Sequence, residues 1–166
     1  MKIIHSFLLV SILMISGCGF HLRGTHTNLP WLNSVAIINN ANRYLNPLIS
    51  EELKDNDVQV TDNLAKAKYW LIIDSDNFEQ QILSISSSTT PRQYQLIYTV
   101  RFKLQKTNGE EIIPPGQVNI TRVVTINSNR ILGSNDEEDH FKKEMINEAV
   151  IQILYRLSRG EPSVTN

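Results

Sequence analysis

The stretch YQLIYTVRFKLQ, residues 94–105, alternates from end to end. Tyr94, Leu96, Tyr98, Val100, Phe102 and Leu104 fall on one side of an extended chain, and Gln95, Ile97, Thr99, Arg101, Lys103 and Gln105 fall on the other. Successive side chains of a strand point to opposite faces. The pattern therefore predicts a strand in a sheet with one face on the core and one face in solvent. An apolar sheet face must be covered, so the rest of the chain has to supply a second layer.

Downstream, TNGE (107–110) contains Asn-Gly, a strong hairpin signal because both residues tolerate positive φ. The return strand passes through IIPPGQ (112–117), where two prolines suit an edge or a bulge, and continues on Val118, Ile120, Arg122, Val124 and Ile126. NSNRILG (127–133) turns the chain into a helix. Ser134 and Glu137 form a capping box, while Asp136, Glu138 and Asp139 complement the positive helix start. Phe141, Met145, Ile146, Ala149, Val150, Ile153, Leu154 and Leu157 make one apolar stripe, and Gly160 and Pro162 stop it.

Upstream, SVAIINN (34–40) reads as a buried strand. NPLISEELKDND (46–57) reads as a short helix, with Asn46 as cap, Pro47 at the first helical position and Leu48, Ile49 and Leu53 as its stripe. VQVT (58–61) suits a brief strand, YWLIIDSDNFEQQILSI (69–85) a long one, and SSSTTP (86–91) a loop. The sum predicts an α+β fold. It is a two-layer sandwich, with a mixed or mostly antiparallel sheet of about four strands and one short and one long C-terminal helix packed on one face.

The N-terminus follows different rules. Lys2 and the apolar run Ile3–Ile15 make a segment about 13 residues long, too short for the roughly 20 needed to span a bilayer but right for a secretory signal. ISGC (15–18) resembles the lipobox of bacterial lipoproteins: an aliphatic residue, two small residues, then Cys. That resemblance implies cleavage before Cys18, a diacylglyceryl thioether on its sulfur and acylation of the freed amine. Several acyl chains on one residue make a durable anchor where one chain binds only reversibly. Gly19 in place of Asp after the cysteine implies export to the outer membrane. The chain thus divides into a signal peptide (1–17), a lipidated tether (18–32), one α/β domain (33–159) and a disordered tail (160–166).

Composition narrows the function. The 166 residues carry a formal net charge of −1, so no global field favours nucleic acid. A single cysteine makes neither an internal disulfide nor a thiolate metal site. The residues show no nucleophile elbow, metal-spaced histidine pair or phosphate loop. His21 and His26 lie on the tether, and His140 lies in a charged first helical turn. Asp74 and Asp76 would share a strand face by alternation, without a third partner. DEED (136–139) lacks the spaced ligands of a calcium loop. The expectation is a non-enzyme with no catalytic residue, no metal, and no cofactor beyond the acyl chains on Cys18.

GCGFHLRGT (17–25), QYQLIYTV (93–100) and KKEM (142–145) in the final helix resemble the LptE family of lipopolysaccharide-assembly lipoproteins. The resemblance implies an outer-membrane, lipid-anchored, periplasm-facing subunit of the lipopolysaccharide translocon. Such a subunit plugs the LptD β-barrel, helps it assemble and contacts lipopolysaccharide on its way to the outer leaflet. Barrel interiors are polar, and the Gln95, Thr99, Arg101, Lys103 and Gln105 face suits such a surroundings as well as it suits plain solvent. Lipopolysaccharide phosphates call for Arg and Lys. The candidates are Arg92 and Arg130 in loops, with Arg101, Lys103 and Arg122 on strands. The alternative is another outer-membrane lipoprotein, acting as a periplasmic adaptor or inhibitor.

Overall fold

The computed structural model describes residues 29–85, 91–125 and 134–160. Five strands form one mixed sheet: β1 (Ser34–Asn39), β2 (Gln59–Val60), β3 (Tyr69–Ile85), β4 (Pro91–Lys106) and β5 (Glu111–Thr125). Their order is β2-β1-β3-β4-β5. β1 runs parallel to both β2 and β3, whereas β3, β4 and β5 form an antiparallel meander. The expected count of about four becomes five, because the short VQVT run pairs with β1 through only two residues and still closes that edge.

Among the described residues two helices accompany the sheet, α1 (Leu45–Asp55) and α2 (Ser134–Arg159). Both cover the face that carries Leu96, Tyr98, Val100, Phe102 and Leu104, all of them buried. From α2, Met145, Ala149, Val150, Ile153, Leu154 and Leu157 enter that core, with Phe141 and Ile146 at its margin. The side chains of the capping pair Ser134 and Glu137 lie outside the described set. Leu29 and Leu32 are buried as well, so packing begins ahead of β1. Trp31 stands edge-on to Tyr69, with ring centroids 5.6 Å apart.

The start of α1 differs from expectation. Asn46 lies inside the helix, Tyr44 is the N-cap without a side-chain cap hydrogen bond, and Asn42 makes a turn just ahead of it. The Asn42 carbonyl accepts from the Leu45 N–H at 3.0 Å and its side-chain oxygen from the Tyr44 N–H at 3.1 Å. Pro47 then sits in the first turn, where a missing N–H costs nothing. The buried stripe is Leu45, Ile49 and Leu53, with Leu48 at the margin. At the other end, the N–H groups of Asp57 and Val58 donate to the carbonyls of Lys54 and Leu53, both at 3.0 Å. This is a Schellman closure with Asp57 at φ 61° where glycine is usual.

The β4–β5 turn forms at the Asn-Gly signal, with Gly109 at φ 88° and its N–H donating to Lys106 O at 3.0 Å. Pro114 and Pro115 interrupt the β4–β5 register between Phe102 and Leu104, on an edge strand, so both roles allowed for them are realised together.

Candidate functional site

The helix-free face of the sheet is built from every second residue of β3, β4 and β5. Register places Asn77, Thr99 and Asn119 in one cross-strand row, Glu79, Ile97 and Thr121 in the next, and Gln81, Gln95 and Val123 beyond it. Thr99 Oγ1 donates to Asn119 Oδ1 at 3.0 Å. In the other direction Ser75, Arg101 and Gln117 share a row, and Lys103 faces Ile72. The face is therefore rich in amides and hydroxyls in its middle and turns apolar towards β1, where Ile38, Trp70 and Ile72 lie side by side.

A register shift in β3 between Ile73 and Ser75 shapes this face. The extra residue at Asp74 breaks the simple alternation, so Asp74 and Asp76 do not share an environment. Asp74 is exposed and lines a recess with Arg101, Pro115, Gly116 and Gln117. Asp76 stays on the helix side, opposite Val100. Its carboxylate accepts from Tyr98 Oη and from the Asn42 N–H, each at 3.0 Å. Burial pushes the Tyr98 phenol well above its ordinary value, and the adjacent Asp76 carboxylate adds to the rise. Asp76 is thus an anchor tying β3, β4 and the α1 turn together, a role that alternation alone did not reveal.

The five basic candidates do not form one cluster. Arg101, which is exposed, and Lys103, half-buried, project from the open face, two residues apart on β4, and neither makes an ion pair among the described residues. Arg92 is the second residue of the same strand, and its side chain lies outside the described set, as does all of Arg130. Arg122 is on the helix side, opposite Leu96. Its guanidinium pairs with Glu144 and lies 3.7 Å from Glu148, both on α2. His140 Nε2 reaches the other oxygen of Glu144 at 3.1 Å. Cys18 falls outside the described residues. Among the described residues no group of three or more His, Cys, Asp or Glu could hold a metal, and no helix is long and apolar enough to cross a membrane.

The polar sheet and its two-helix cover recur in known proteins. A family described as lipopolysaccharide-assembly, LptE, matches residues 32–157. The chain belongs to the LptE family. It is 27% identical over 151 residues to the LPS-assembly lipoprotein LptE of Pectobacterium atrosepticum, covering 89% of this chain and 80% of that relative. It is 28% identical over 159 residues to the LPS-assembly lipoprotein LptE of Yersinia enterocolitica, covering 94% of this chain and 75% of the relative. The fold is similar to the solution structure of an uncharacterized lipoprotein B from Nitrosomonas europaea. There the TM-score is 0.72 at 27% identity, covering 84% of this chain and 90% of that one. The crystal structure of the rare lipoprotein B from Shewanella oneidensis is similar in fold at a TM-score of 0.65 and 24% identity, covering 76% and 96% of the two chains. The LptE match spans all five strands, α1 and nearly all of α2, so the open face lies within it.

Proposed function

We propose that this chain is an outer-membrane lipoprotein subunit of the lipopolysaccharide translocon. In this reading it plugs the LptD β-barrel and assists its assembly, and it contacts lipopolysaccharide during delivery to the outer leaflet. The observation that carries the reading is family membership across residues 32–157, the stretch that builds the two-layer domain. The polar open face supports it, since a body enclosed by a barrel must meet a hydrophilic wall. The role is non-catalytic, and the only prosthetic groups are the acyl chains on Cys18 that hold the domain at the periplasmic side of the outer membrane. Detergent extraction followed by a pull on this chain should recover a large β-barrel protein in near-stoichiometric amount; recovery without any barrel contradicts the plug.

For lipopolysaccharide, Arg92 and Arg130 are proposed as phosphate contacts from the two loop regions, with Arg101 and Lys103 extending the positive surface along β4. Arg122 is already engaged by two carboxylates, so its contribution to phosphate binding is secondary and its first effect is to dock α2. Replacing Arg92→Asp together with Arg130→Asp should weaken lipopolysaccharide binding by the lipid-free domain about tenfold or more, because charge-assisted contacts are worth roughly 1.5–3 kcal/mol each. Unchanged binding removes both residues from the contact.

A further inference from the structure

The expected tether stops being a tether before residue 32. Leu29 and Leu32 are buried in the core, and the Leu32 N–H donates to Leu29 O at 3.0 Å. This packed start lies at the C-terminal end of α1. There Gln59, just past the α1 closure, donates its N–H to Asn33 O at 3.2 Å. Residues 18–28, CGFHLRGTHTN, lie outside the described residues. They carry Arg23 and the apolar pair Phe20 and Leu22, and they hold no Asp or Glu. The proposed function gives this stretch no task beyond bearing the anchor.

A groove on the helix layer begins at the same end of the domain. It is lined by Leu48, Glu51, Glu52 and Asp55 from α1 and by Asn147, Val150 and Ile151 from α2. Its floor is aliphatic: Val150 is buried, Leu48 half-buried, and Ile151 is 45% exposed. Its α1 rim is acidic. Among the described residues no Lys, Arg or His lines the groove, and none of the three carboxylates has an ion-pair partner. Lys143 of α2 acts instead on Tyr44, at the opposite end of α1. The acids do not form a metal cluster. An apolar floor beside an uncompensated acidic rim fits a strip of chain that is apolar on one side and cationic on the other.

Residues 20–23 have that form. Alternate residues of an extended strip face opposite ways, so Phe20 and Leu22 share one side while His21 and Arg23 share the other. We infer that residues 20–26 of this same chain dock in the α1–α2 groove, with Phe20 and Leu22 on Leu48 and Ile151 and with Arg23 at Glu51, Glu52 and Asp55. The reach is sufficient. The chain from Leu29 back to Arg23 extends about 20 Å, whereas the groove from Asp55 to Leu48 is about 10 Å long. Burial of the apolar pair supplies most of the affinity. The ion pairs set the register, because exposed pairs contribute little to binding strength. Docking fixes where Cys18 leaves the domain and shortens the span between anchor and fold. The inference goes beyond the plug reading, since groove and strip belong to one chain.

The test uses the full chain, purified alone in mild detergent, with a benzophenone amino acid in place of Phe20. Irradiation should join that position to α1 or α2 of the same chain, as read by mass spectrometry of the digest. Arg23→Glu should lower the yield of this adduct about fivefold, because it removes the pairs and adds like-charge repulsion. Arg23→Glu combined with Glu51→Arg and Glu52→Arg should restore it. Circular dichroism checks that each variant keeps its fold. Adducts confined to detergent or to the open sheet face overturn the inference. A yield unchanged by Arg23→Glu overturns it as well, and adducts at twice the chain mass assign the groove to a second copy instead. None of these results bears on recovery of a barrel partner, so failure here and failure of the plug reading are told apart.

Discussion

Tyr98 and Asp76 bring together three segments that are distant in sequence, and the consequences can be worked out residue by residue. Tyr98→Phe removes the phenol that donates to Asp76 and leaves that carboxylate with the Asn42 N–H. The expected loss is about 1–2 kcal/mol in denaturant unfolding. The pH dependence has a definite sign. The folded protein holds the Tyr98 proton above the ordinary phenol value, so this stabilisation is complete below about pH 10 and is lost as pH rises beyond it. Wild-type stability should therefore fall more steeply than that of Tyr98→Phe between neutral and strongly alkaline pH, and parallel slopes would contradict the assignment. Asp57, at φ 61°, occupies a conformation that glycine adopts freely. Asp57→Gly should raise stability by about 0.5–1 kcal/mol, read as a higher urea midpoint with unchanged slope. The sequence pattern showed neither effect. The bulge at Asp74 and the closure after α1 are decided by tertiary register and backbone geometry, which leave no trace in hydrophobic periodicity.

At the scale of elements, the strong periodicities held and the weak ones slipped. The strict alternation of residues 94–105 and the stripe from Phe141 to Leu157 became β4 and α2 with the expected faces buried. α1 starts ahead of the expected cap Asn46, because the fully buried Leu45 extends the helix past the Asn46–Pro47 signal. The weight placed on α2 can be measured. Met145 is fully buried at the centre of the interface with the sheet, and Met145→Ala should cost about 2–4 kcal/mol. Arg122→Ala, which removes a partly exposed ion pair between β5 and the same helix, should cost no more than about 1 kcal/mol. If Arg122→Ala proved the more damaging of the two, ion pairing rather than apolar packing would be what fixes α2 to the sheet. The candidate site was legible only in part. Alternation placed Arg101 and Lys103 on the open face and Arg122 on the other, but the neighbours that define that face, Asn77, Asn119 and Gln117, emerge only from strand pairing.

For the molecule as a whole, the domain divides into a helix-covered core and an open sheet face, and the proposed function assigns the open face to the wall of a barrel. Under the proposed function, acyl chains on Cys18 would hold the domain at the membrane, since several chains on one residue suffice for durable attachment. The LptE match and the similarity in fold both extend over the two-layer domain. Thr99 stands at the middle of the open face, between Asn77 and Asn119, and is the most informative position to probe. With a photo-crosslinking residue in place of Thr99 in the full chain in its native envelope, irradiation should give one major adduct. Its partner should be a large β-barrel protein, joined through a residue that faces the barrel interior. Adducts confined to soluble periplasmic proteins, or no adduct at all, would contradict the account of this chain as a barrel plug.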